Sequence, residues 1–99
     1  MLKSFTIDDD LAAQDNGAIE VTLSLADGNR RWCFFMTPAA LSRCGDWVEG
    51  TQVRFHYDAP HMIVVSATLD HALIERVLQD LDRQGLLVKC SLALEEQSA

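Results

Sequence analysis

The sequence predicts an α+β fold: a mixed or mainly antiparallel sheet of five to six strands in the order β-ββ-α-ββ-α-β, with one long helix over about 69–84 and one short helix over about 38–44. Three observations carry this reading. Residues 18–36 alternate apolar and polar around Asp27-Gly28, as an antiparallel hairpin does. Residues 69–81 place Leu69, Ala72, Leu73, Ile74, Val77, Leu78 and Leu81 at the three-and-four spacing of one helical stripe. Between them, Met62-Ile63-Val64-Val65 is a short apolar run rich in β-branched residues, the pattern of a strand covered on both faces.

Leu2 to Ile7 reads as an edge strand, and Asp8-Asp9-Asp10 as a solvated loop. Consecutive side chains on an extended chain diverge, so three adjacent carboxylates do not converge on a cation. In the hairpin, Ile19, Val21, Leu23 and Leu25 face one way, and Glu20, Thr22 and Ser24 the other. A two-residue type I′ turn at Asp27-Gly28 sets Leu23 opposite Trp32, Val21 opposite Phe34 and Ile19 opposite Met36. Arg31, Cys33 and Phe35 then fall on the reverse, half-polar face. A four-residue turn keeps the same faces together, whereas a three-residue turn needs a bulge to do so.

Thr37-Pro38 is a helix start, a cap followed by a proline whose missing N–H costs nothing there; Gly45 ends that helix. Asp46 to Gly50 reads as a loop. Gln52 to Tyr57 alternates as a strand and turns at Asp58-Ala59-Pro60 into the 62–65 strand as a second hairpin. The long helix takes Thr68 as its cap, with Ser66 and Asp70 as the other candidates, and stops at Gly85, where Leu86 reaches back to Leu81. Leu87 to Leu94 is the last strand, with Val88, Cys90, Leu92 and Leu94 on its apolar face. The strand over 61–67, the long helix and this last strand are also compatible with a right-handed βαβ crossover.

The 99 residues form a single domain over 1–99, and 48% hydrophobic content is enough for a core. The formal net charge of −7 is spread over both halves of the chain. Such a surface repels phosphate backbones, which disfavours nucleic acid as a partner and is compatible with a basic one. An odd, scattered set of three cysteines with no CxxC is not a disulfide framework and fits a reducing cytoplasm. No secretory h-region follows Lys3, and no apolar run approaches the roughly 20 residues of a membrane span.

No nucleophile, P-loop, zinc-protease or dinucleotide motif is present, so no catalytic residue, metal or cofactor is assigned. Cys33 and Cys90 read as small core fillers, and Cys44 sits at a helix C-terminus, where the dipole disfavours a thiolate. The best chemical cluster is His56-Tyr57-Asp58-Ala59-Pro60-His61. On an extended strand His56 and Asp58 point the same way, and the turn brings His61 near. Two imidazoles and a carboxylate suit a metal, or a base with its orienter, although the spacing matches no established ligand pattern. Trp47, in the neighbouring loop, either packs over a core edge or stacks on a ligand.

WCFFMTPAALSRCGDW (32–47) and APHMIVVSATL (59–69) resemble stretches of small bacterial proteins of the mobile-gene-cassette (integron cassette) type. The resemblance implies a small cytoplasmic bacterial accessory protein, and no activity, cofactor or site residue comes with it.

The expected function is therefore a non-enzymatic binding or interaction module whose partner is another protein or a second copy, as in a homodimer. Its expected interface is the reverse face at Phe35, Arg31 and Cys33, because a half-covered apolar face is a liability for a monomer. The alternative is a small-molecule or metal binder, a minor enzyme, with its site near His56, Asp58, His61 and Trp47.

Overall fold

The computed structural model describes residues 1–12, 17–43, 46–55 and 59–94. It is an α+β fold built on a mixed, mostly antiparallel five-stranded sheet. Strands β1 (Leu2–Ile7), β2 (Ile19–Leu25) and β3 (Arg30–Met36) form an antiparallel meander, with β1 at one edge as expected. Along the far edge of β3, two short strands lie end to end. Strand β6 (Met62–Val64) runs parallel to the second half of β3, and β7 (Leu92–Ala93) antiparallel to the first half. The strands flanking the long helix thus point in opposite directions without pairing, and the βαβ crossover is not formed.

The hairpin between β2 and β3 differs from the expected register by one residue, and this difference reorganises the molecule. Its connection has three residues, Ala26-Asp27-Gly28. The Gly28 N–H donates to the Leu25 carbonyl at 3.0 Å, and the Leu25 N–H to the Asn29 carbonyl at 2.9 Å. A type I′ turn requires positive φ at both central residues, and among the described residues only glycines have it; Gly28 sits at φ +90°. The result is a three-residue loop closed by a left-handed glycine. Asp27 braces it by accepting the Asn29 backbone N–H at 2.9 Å and its side-chain amide at 3.0 Å. Ile19 therefore pairs with Phe35, Val21 with Cys33 and Leu23 with Arg31. A one-residue slip moves every side chain to the other face. Phe35 and Cys33, expected outside, are fully buried in the core, and Trp32 and Phe34, expected inside, lie on the reverse face.

The core forms between this face of the sheet and helix α2 (His71–Arg83). Ile19, Val21, Leu23, Leu25, Cys33 and Phe35 meet Ile74 and Leu78, with Leu69 and Leu87 closing the two ends. The helix is capped by Asp70, whose carboxylate accepts the Leu73 N–H at 2.8 Å, rather than by Thr68. At its other end Gly85 takes φ +72°, the Gly85 N–H reaches Asp82, and the Leu86 N–H reaches Leu81 at 2.8 Å. This is the Schellman stop expected from Gly85 and Leu86.

After that stop the chain makes a helical turn instead of the expected long strand. The Cys90 N–H bonds the Leu86 carbonyl at 3.0 Å, and only Leu92–Ala93 remain as β7. Arg31 explains the difference. On the core face at the end of β3, it donates to the Ser91 hydroxyl at 2.6 Å, the Ser91 carbonyl at 2.9 Å and the Val88 carbonyl at 3.0 Å. Ser91, 2% exposed, donates its own hydroxyl to the Leu87 carbonyl at 2.6 Å. Carbonyls at the end of a helical turn need donors, and a guanidinium supplies several at once. Arg31 is a clasp for this turn, not the interface residue the sequence implied.

Three further expectations are corrected. The short helix α1 (Pro38–Leu41), capped by Thr37 as expected, spans a single turn rather than reaching 44. The second hairpin joins β4 (Asp46–Trp47) to β5 (Arg54–Phe55) through a turn in which the Thr51 N–H bonds Val48, so the predicted loop at 46–50 is half of it. Strand β6 is not covered on both faces as expected: it lies at the sheet edge, with Val64 46% exposed. No described helix is long and apolar enough to cross a membrane.

Candidate functional site

Because α2 occupies one side of the sheet, the other side is where the structure leaves large side chains only partly covered. Alternation places Ser4 and Thr6 of β1, Glu20, Thr22 and Ser24 of β2, Trp32, Phe34 and the buried Met36 of β3, Met62 and Val64 of β6 and Leu92 of β7 on it. The face is graded, with hydroxyls and carboxylates over β1 and β2, and aromatic and aliphatic groups over β3, β6 and β7. Trp32 and Phe34 are half-buried, and Leu92 and Val64 are exposed.

His61 sits at the centre of the apolar half. Its ring meets Trp32 edge-on, with centroids 4.6 Å apart, and Phe34 at 4.9 Å and 81°. Trp32 and Phe34 lie 6.3 Å apart. These are the favoured geometries for rings that carry a negative face and a positive edge. The Phe34 N–H donates to the His61 carbonyl at 3.0 Å, which fixes the backbone of the cluster. The His61 Nδ1 is buried and has no hydrogen-bond partner among the described residues.

Of the other expected site residues, His56 and Asp58 lie outside the described residues. Trp47 belongs to the separate β4–β5 hairpin and is 52% exposed. Phe35 and Cys33 are inside the core. Burial, with a smaller contribution from the nearby Cys90 thiol, pushes the Cys33 thiol up to about 12, so at neutral pH it is no nucleophile.

The three aspartates after β1 are each held as acceptors. Asp8 takes the Thr22 hydroxyl at 2.7 Å, Asp9 the Glu20 N–H at 2.8 Å, and Asp10 the Ala12 N–H at 2.9 Å. The first two bonds fasten the acidic loop against β2, and the third closes a local turn. Asp8, Glu20, Thr22, Trp32 and Leu94 line a cleft of about 190 Å³ on the open face. A larger groove of about 350 Å³ lies between β1 and α2, beside Phe5, His71, Glu75, Gln79 and Asp82. One carboxylate there, Asp82, already accepts the outward Leu2 N–H at 3.1 Å. Among the described residues no three His, Cys, Asp or Glu side chains gather where a metal ion would be held.

The sequence missed Trp32, Phe34 and their meeting with His61. The available signal was that residues 31–36 carry large apolar groups on both faces, so hydrophobicity alone does not choose which face is buried. No protein-family model, curated protein or solved structure matches the chain.

Proposed function

We propose that the chain is a non-enzymatic interaction module of the cytoplasm that binds a protein partner through the uncovered face of its sheet. One observation carries the reading: Trp32, Phe34 and His61 form an ordered aromatic cluster on a face that the fold's own helix does not cover. Binding hot spots are rich in such aromatic anchors, ringed by polar groups. Thr22, Ser24 and Glu20 form a polar margin of this kind. The buried, un-nucleophilic Cys33 removes one candidate for covalent chemistry.

The test is site-specific photo-crosslinking in the native host. A crosslinker at Val64 or Leu92 is expected to give one discrete adduct, to another polypeptide or to a second copy. The same group at Arg76, on the solvent side of α2, is expected to give none. Absence of a discrete adduct from both face positions, or equal adducts from Arg76, would refute the reading.

A second reading, a small-molecule or metal binder around His61 with His56 and Asp58, draws on the buried Nδ1 of His61, which has no hydrogen-bond partner among the described residues. Elemental analysis of untagged protein tests it. Stoichiometric metal that is lost in His61→Phe supports it; metal-free protein removes the metal form of it.

A further inference from the structure

We infer that the cleft beside Trp32 receives an arginine side chain of the partner, a conclusion that rests on the open face being the binding surface. The chemistry of the lining is specific. Trp32, the acidic residues Asp8 and Glu20, Thr22 and Leu94 line it. An indole and two carboxylates suit a planar cation that stacks on a ring while its N–H groups point at oxygens, which a guanidinium does better than an ammonium.

The Asp8 carboxylate is pre-arranged, and Glu20 is fixed through its backbone. One oxygen of Asp8 is held by the Thr22 hydroxyl, the Asp8 N–H bonds the Glu20 carbonyl at 2.8 Å, and the Glu20 N–H bonds Asp9. Among the described residues no lysine or arginine forms an ion pair with Asp8 or Glu20. Arg30, exposed on this face, stands two residues from Trp32 along β3.

Size and charge select the source of the cation. Pockets for free small molecules are roughly 300–1,000 Å³. At about 190 Å³ the cleft is below that range and suits one side chain. A second copy would bring another net charge of −7 to the face, so a basic foreign partner is the complementary occupant. The apolar half of the face then packs against the partner's own apolar residues, and the arginine fixes the register.

The experiment follows the two tryptophan indole N–H resonances of the full chain during titration with acetyl-triarginine amide. Acetyl-tricitrulline amide, the neutral isostere, is the control. The expected result is a saturable shift at Trp32 with triarginine, at least about tenfold weaker with tricitrulline, and no saturable shift at Trp47. Read at the Thr22 amide, Trp32→Leu weakens binding by about fivefold, and Asp8→Asn with Glu20→Gln abolishes it. Equal shifts with tricitrulline, equal shifts at both indoles, or no shift overturns the arginine site. So does a concentration-dependent dimer that Arg30→Ala dissolves, because the cation then comes from a second copy. If the arginine site fails while adducts from Val64 and Leu92 persist, the open face stands without it. If the adducts are absent too, both readings fall.

Discussion

The two faces of the central sheet differ in what their side chains are asked to do. On one, Ile19, Val21, Leu23, Cys33 and Phe35 are sealed under α2 with at most 1% exposure each. On the other, Trp32, Phe34 and His61 contact one another but stay half-open. Both faces of β3 carry aromatic rings, yet only one set is surrounded. Stability should therefore depend mainly on the first face and recognition on the second.

The largest effect to test this contrast is at Phe35. Phe35→Ala empties a fully buried site and is expected to cost about 3–5 kcal/mol in urea unfolding. A loss below about 1 kcal/mol would mean the register assigned to the hairpin is wrong. Next comes Arg31. Arg31→Met removes the donors that hold the Val88 and Ser91 carbonyls, for an expected loss of about 2 kcal/mol. The same variant should speed hydrogen exchange at Cys90 and Leu94, whose amides are bonded within and just beyond that turn. If exchange there is unchanged, the clasp is incidental.

A pH effect follows from Cys33. Its thiol is raised from an ordinary 9.0 to about 12, so the folded state keeps a proton that the unfolded chain gives up. This contribution is complete below pH 9.0 and is lost as pH rises toward 12. At pH 10 the wild type should have lost about 1 kcal/mol more than Cys33→Ala has, relative to each at pH 8. Identical pH profiles would show that Cys33 is not held in the core. A comparable or smaller effect is expected at the helix start, where Asp70→Ala costs about 1 kcal/mol and Asp70→Asn much less. Thermal unfolding of the pair distinguishes a lost cap from a lost charge.

The sequence was most legible where one local rule acts without a competitor. In α2, the apolar stripe, Gly85 and Leu86 agree on where the helix lies and stops, and the structure places it there. The alternation of β2 was equally clear, and so was the α+β class. The sequence did not decide which face of β3 meets the face of β2 that carries Ile19, Val21 and Leu23. That depended on one residue of turn length, and Trp32, Phe34 and Met36 satisfy a hydrophobic pattern as well as Cys33 and Phe35 do. The reversal carried Phe35 and Cys33 of the expected interface into the core and turned the partly buried Arg31 to the helix side of the sheet. The end of the chain was misread for a different reason. A strand over 87–94 looks apolar on alternate residues, but the donors of Arg31, 60 residues away in sequence from Ser91, reward a helical turn instead. The open-face site combines His61, Trp32, Phe34, Asp8 and Glu20 from four segments, and no local pattern joins them.

The most direct test of the division between the two faces is Trp32→Thr, measured both for stability and for crosslinking from Leu92. The substitution puts a β-branched, strand-favouring residue in the strand and removes the ring from the open face. The expected result is a stability loss of about 1 kcal/mol, well below that of Phe35→Ala, together with disappearance of the adduct. A variant that unfolds as readily as Phe35→Ala, or that keeps the wild-type adduct at full yield, would contradict the account.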